Sequence, residues 1–302
     1  MKGDINMQKI VPHLWFDKDA VMAAKWYVSL FENSEIIHIG ELHDTPSGDV
    51  ETVDFKLADV TFSAISAGPY FSLNPSISLI VACETAEEVD RLYSQLSEGA
   101  SELMPLGEYP FSKHYVWLSD KYGVNWQLFL VEDITEHQRI RPCLLFAADV
   151  CGKAETALNE YLTIFPGSSA GYINRYGKGE LEDKRPVINY GELNLPGLQF
   201  ILMDHGSGGV ENFNEAFSFM INCDTQEEID YYWDKLSHVP EAEACGWVKD
   251  KYGVSWQIVP TVMNEILRNS TKEEADRITK SFLKMTKLDI KKIEQAKLGI
   301  ED

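Results

Sequence analysis

The chain has 302 residues, enough for about two domains of ordinary size, and its 44% hydrophobic and 25% charged content is that of a globular protein. Its 48 acidic against 27 basic side chains give a formal net charge of −21, which repels phosphate backbones and excludes nucleic acid as an expected partner. No apolar run approaches the roughly 18 residues of a membrane span, so no membrane partner is expected.

In chain order, the apolar run 10–16 reads as a strand. Ala20, Ala24, Tyr27 and Phe31 fall at helical spacing and predict a helix over 20–31. Strand-like runs follow near 34–41, 50–57 and 60–66. The pattern then restarts with a strand at 77–83. Thr85-x-x-Glu88 has the form of a capping box and opens a helix over 86–97. Val89, Leu92, Tyr93 and Leu96 form its apolar face. Further strands are expected near 101–104, 115–119 and 124–130. The order β-α-β-β-β therefore occurs twice.

The second half says this again. Asp120-Lys-Tyr-Gly-Val-Asn-Trp-Gln127 returns as Asp250-Lys-Tyr-Gly-Val-Ser-Trp-Gln257, identical at seven of eight positions. Val11–Phe16 is answered by Arg141–Phe146, and the helical stripe by Ala154, Leu158, Tyr161 and Phe165. Ile77–Cys83 is answered by Phe217–Cys223, and the capped helix by Thr225-x-x-Glu228 with Ile229, Tyr232, Trp233 and Leu236. The offset varies between 130 and 140 residues along the chain, as length changes in loops would make it. Self-similarity of this kind fixes the architecture. The expected fold is α+β, with four βαβββ modules in two tandem domains, 8–132 and 140–260. Sheets placed side by side would form a partly closed barrel with an open cup. Residues 261–302 have no counterpart in the first half. Ala275, Ile278, Phe282 and Met285, then Leu288, Ile293 and Leu298, predict a helical tail docked on the domain pair or on a second subunit. A homodimer stays open on this reading.

Five cysteines, Cys83, Cys143, Cys151, Cys223 and Cys245, form no Cys-x-x-Cys pair. Their odd number suits a reduced, cytoplasmic chain better than a disulfide framework. The N-terminus lacks the apolar stretch of a secretion signal. Leu198–Asp204 followed by His-Gly-Ser-Gly-Gly209 has the order of a nucleotide or S-adenosylmethionine loop. Such a loop should open a helix, whereas this one runs toward another strand, so no cofactor is expected there.

Paired modules ending in Asp-x-x-Gly-x-x-x-(Glu/Gln), together with Pro12-His-Leu-Trp-Phe16, Cys245-Gly-Trp247 and Asp250–Pro260, resemble the PhnB-like branch of the glyoxalase, bleomycin-resistance and dioxygenase proteins. These form the vicinal oxygen chelate superfamily. The resemblance implies tandem glyoxalase-like domains over essentially the whole chain. In metal-using members it implies ligands on the first and last strands of paired modules. The glutamate ligand falls here on Gln127 and Gln257, and the ligand opening the second module near Ile77 and Phe217. The remaining positions fall near Val11 or His13, Arg141 or Cys143, Ser63 and Ile201. Amides and apolar side chains hold a divalent ion poorly, so no metal centre is expected.

His13, Trp15, Gln127, Cys143 and Gln257 are the candidate ligand-binding residues. Strand alternation places Trp126 and Gln127 on opposite faces, with the glutamines toward the cup. The leading expectation is a small-molecule-binding protein, or an enzyme of undefined reaction, whose cup works without metal. Two alternatives remain: a metal-dependent chelate-type lyase, dioxygenase or resistance enzyme, and a non-catalytic sequestration or assembly protein.

Overall fold

The computed structural model describes residues 8–135 and 137–300. The first repeat runs β1 (Ile10–Phe16), α1 (Ala20–Leu30), β2 (Glu35–Thr45), β3 (Gly48–Leu57) and β4 (Val60–Ser66). It continues with β5 (Ile77–Cys83), α2 (Ala86–Leu96), β6 (Ser101–Tyr109), β7 (Ser112–Ser119) and β8 (Asn125–Leu130). The second repeat gives β9 (Ile140–Phe146), α3 (Ala154–Ile164), β10 (Ser169–Arg175), β11 (Ile188–Leu195) and β12 (Leu198–Asp204). It ends with β13 (Phe217–Cys223), α4 (Gln226–Leu236), β14 (Trp247–Lys249) and β15 (Ser255–Pro260). The fourth module departs from the expected pattern. A short 3-10 turn at Pro240–Ala242 stands where a strand would follow α4. Proline lacks the N–H that a ladder requires, so the module closes with two strands.

The strands form two mixed sheets, and each sheet cuts across the repeats. One has the order β14-β15-β13-β1-β4-β3-β2, the other β10-β11-β12-β9-β5-β8-β7-β6. Two antiparallel seams make the exchange, β1 with β13 and β5 with β9. The first module of each repeat thus shares a sheet with the second module of the other. Among the described residues, the pairing that sequence left open is made within one chain.

Helices α1 to α4 fill the space between the sheets. Buried apolar side chains from both sheets and all four helices make one continuous core. Thr85 and Thr225 cap α2 and α4 through their hydroxyls, accepting from Glu88 N at 3.2 Å and Glu228 N at 3.3 Å. The glutamates reach back one residue further than a capping box requires, to Glu84 N at 3.0 Å and Asp224 N at 2.8 Å.

The repeated eight-residue phrase is a staple between modules. Asp120 is buried before β8, and its Oδ1 accepts from Tyr122 N at 2.8 Å and Val124 N at 3.1 Å. Its Oδ2 accepts from Tyr27 Oη on α1 and from Trp126 Nε1, both at 2.8 Å. Asp250 repeats the arrangement with Tyr252 N at 2.9 Å, Val254 N at 3.0 Å, Tyr161 Oη at 2.6 Å and Trp256 Nε1 at 3.0 Å. Gly123 and Gly253 complete the turns at φ of 88° and 90°, a region open to glycine without strain. Each carboxylate therefore joins a helix on one sheet to the last strand of the other sheet.

The tail forms α5 (Thr261–Arg268), α6 (Lys272–Phe282) and α7 (Ile290–Leu298). It docks on the seven-stranded sheet. Met263, Ile266, Ile278, Phe282, Leu288 and Ile293 pack with Leu42, Met220, Cys245 and Val259 in a second cluster. Between α6 and α7, Met285 and Thr286 accept backbone bonds from Cys245 and Gly246 at 2.8 Å each. Among the described residues no helix is long and apolar enough to cross a membrane.

Candidate functional site

Each sheet turns one face to the helices and the other outward as a cup. Along β8 and β15, Trp126 and Trp256 are fully buried toward the helices, and Gln127 and Gln257 point the other way. The same alternation places every other residue of the neighbouring strands in the cups.

In the first cup, on the seven-stranded sheet, His13 of β1 stands in register with Ser63 of β4 and Ser218 of β13. Gln257 Nε2 donates to Ser218 Oγ at 3.0 Å, and that hydroxyl lies 3.4 Å from His13 Nδ1. Trp247 sets its ring edge-on to His13 at 5.7 Å and to Trp15 at 6.3 Å. Trp15 Nε1 donates to Gly68 O at 2.8 Å. The second cup has the same plan with different atoms. Cys143 of β9 is in register with Ser78 of β5 and Ile201 of β12. Gln127 Nε2 donates to Ser78 Oγ at 2.7 Å, and its Oε1 accepts from Tyr115 Oη at 2.6 Å. Ile80, Cys143 and Ile201 form an apolar floor, with Phe129, Tyr190 and Met203 packed against it.

His13, Trp15 and Gln257 thus meet in one cup, and Gln127 and Cys143 in the other. The serines were missed. The resemblance puts the opening position of the second module near Ile77 and Phe217; the side chains facing the glutamines are their neighbours Ser78 and Ser218. A serine at the second position of a largely apolar strand, present in both repeats, was the available signal. Tyr115 and Tyr190 carried no such mark.

Burial sets the protonation of both first-strand residues. It holds the His13 imidazole down at about 3, so this histidine is neutral. It pushes the Cys143 thiol up to about 12, which removes the thiolate that nucleophilic chemistry needs. For His13 the consequence is a specific acid sensitivity. An unfolded imidazole takes its proton near 6.5, and the folded one refuses it until about 3. This part of the stability is complete above pH 6.5 and declines as pH falls toward 3, by about 4–5 kcal/mol. The His13→Gln variant should lose that decline. Parallel acid-unfolding curves for parent and variant would contradict it.

These positions do not suit a chelated ion. At the aligned ligand positions the first cup offers an imidazole, an amide and two hydroxyls, and the second offers a thiol, an amide, one hydroxyl and an isoleucine. Neither set contains a carboxylate, and both amides already bond to serine. Divalent ions in proteins usually take three or four charged or imidazole donors with oriented supports. Among the described residues, one group of three such donors lies within 4.8 Å: Glu41, His43 and Asp49, at the exposed β2–β3 hairpin.

The glycine loop after β12 also has a structural explanation. Asp204 is buried, and its carboxylate accepts from four backbone amides: Gly152 at 2.8 Å, Ala154 at 3.1 Å, Val187 at 2.8 Å and Ile188 at 3.1 Å. It ties β12 to the start of α3 and of β11. The loop then runs into β13. A shallow cavity of about 610 Å³ beside it is lined by Glu180, Glu182, Asp183 and His205, walls that disfavour phosphate.

Comparison with known proteins follows the same lines. A family model described as 3-demethylubiquinone-9 3-methyltransferase matches residues 8–129 and again 138–259. A PhnB protein of Bacillus cereus, described by the same activity, is 40% identical over 41% of this chain and 100% of its own, with a TM-score of 0.39. Glyoxalase I from Zea mays is 10% identical, covers 86% of this chain and 96% of its own, and superposes with a TM-score of 0.53. That likeness extends over both repeats and concerns the fold. No curated protein matches the chain.

Proposed function

The chain belongs to the PhnB-like family, built on tandem glyoxalase-type modules, and from this premise we propose that it binds a small molecule in a cup that works without a chelated metal. One observation carries the reading. At the strand positions that converge in each cup, the glutamines close hydrogen bonds to serine where a chelating site would need charged donors. Neutral amides and hydroxyls above an apolar floor orient a ligand by hydrogen bonds and exclude water around it. They do not polarise paired oxygens as an ion would.

The activity in the family description calls for a methyl donor. The segment with the right order of acid and glycines gives that reading no support, because its carboxylate is occupied and no helix follows.

The test is ligand-detected NMR on chelator-treated protein with a set of small aromatic and aliphatic fragments. Fragments should bind, and their signals should persist in excess chelator. Binding that appears only when a divalent ion is restored would overturn the proposal.

A further inference from the structure

We propose that the second cup takes a small carboxylic acid with a ring-shaped body, its head group held on the free edge of Arg141. The inference rests on the metal-free reading above and adds the chemistry of the ligand. Arg141 is 3% exposed and lies on the cup face of β9, two residues before Cys143. Its hydrogen-bond partners among the described residues gather at one end of the guanidinium. His137 Nδ1 at 3.3 Å, Tyr190 Oη at 3.3 Å and Glu192 Oε1 at 3.4 Å all meet Nη1. Glu192 also accepts from Tyr190 Oη and from Tyr172 N, both at 3.0 Å, so its charge is shared.

The other edge is different. Arg141 Nε is buried and has no hydrogen-bond partner among the described residues. The Nε and Nη2 groups form the side fork that takes a carboxylate through two parallel bonds. A buried N–H left unpaired is unfavourable, and an incoming carboxylate would offset that cost. Two more orphaned polar atoms belong to the same sheet face. Trp117 Nε1 and Asn125 Oδ1 are buried without partners among the described residues. Trp117 is in register with Gln127, and Asn125 precedes it by two on the same strand.

The walls supply the rest of the specificity. Phe111, Tyr115 and Phe129 sit 5.0–5.8 Å apart on one side. Tyr172 and Tyr190 stand 6.2 Å apart on the other. Aromatic rings on both sides of an apolar floor suit a planar, apolar body. Met203, unbranched and half-buried over the floor, is the side chain that gives way. The first cup lacks this chemistry, because Val11 occupies the place of Arg141 and the tail packs on its face.

Benzoate and its neutral isostere benzamide test the inference on the full chain in chelator, by calorimetric titration and by the methyl resonance of Met203. Benzoate should bind about tenfold more tightly and shift Met203, since a charge-assisted pair is stronger than a neutral one. The Arg141→Lys variant keeps the positive charge beside Glu192 but removes the fork, and should lose most of that preference. Equal binding of the two probes, binding of neither at millimolar concentration, or an unchanged preference in Arg141→Lys would overturn the inference. Equal binding without metal would leave the metal-free cup standing, whereas a divalent-ion requirement would strike that earlier reading instead.

Discussion

Replacing Asp120 by alanine is expected to destabilise the protein by about 3–5 kcal/mol and to lower its melting temperature by on the order of 10 °C. The carboxylate receives four donors, Tyr27 Oη, Trp126 Nε1 and the amides of Tyr122 and Val124. Alanine leaves all of them facing a small void between the sheets. Each stranded donor costs about 1–3 kcal/mol, and relaxation of the site keeps the sum below full additivity. Burial pushes this carboxyl above its usual range, and the four donors pull the other way. The Asp120→Asn substitution would be the gentler change. Its amide oxygen can still serve the two backbone N–H groups, but its NH₂ faces the indole N–H. The Asp250→Ala variant should behave alike, because Tyr161, Trp256, Tyr252 and Val254 surround that carboxylate in the same way. Denaturant unfolding of both alanine variants checks this. A loss under about 1 kcal/mol at either site would contradict a stapling role.

The second large effect is expected at Phe282. This ring ends α6 and lies in the cluster that joins the tail to Leu42, Met220 and Val259 on the cup face. Truncation to alanine removes a buried aromatic and should cost about 3 kcal/mol. The loss should fall on tail docking rather than on the main core, which is a separate cluster. Cys245 reports it directly. Its thiol is half-buried and lies 3.6 Å from Leu283 O, beside the backbone bonds that Met285 and Thr286 accept. Undocking therefore exposes it, and about 3 kcal/mol corresponds to labelling on the order of 100-fold faster. The buried thiols Cys83, Cys143 and Cys223 should label no faster than in the parent. Unchanged Cys245 labelling would mean that the tail does not hold on this face.

Much of this architecture was legible in the residues, for local reasons. The 3.6-residue stripes of Ala20–Phe31 and Ala154–Phe165 and the apolar strands beside them are set by side chains close in sequence. The observed α1 and α3 end one residue short of those stripes. What sequence did not show is which module joins which. β1 and β9 are equally apolar, and either could have met β5 or β13; the choice rests on contacts between residues far apart, such as Tyr27 with Asp120. The site was half legible for the same reason. Alternation from Trp126 placed Gln127 correctly, but the register across the β5–β8 ladder is needed to see that Ser78 is its partner. The orphaned edge of Arg141 is a property of three-dimensional packing alone. The shortened fourth module has a visible cause in Pro240, which reads as a loop signal only once the expected strand is seen to be missing.

These particulars converge on the chemistry of the cup floors. Elemental analysis of the purified chain, prepared without metal-affinity steps, is the most direct measurement. The amide-and-hydroxyl floors predict divalent metal far below one ion per chain, unchanged in the His13→Gln and Gln257→Leu variants. One ion per chain, lost when either residue is replaced, would contradict the account.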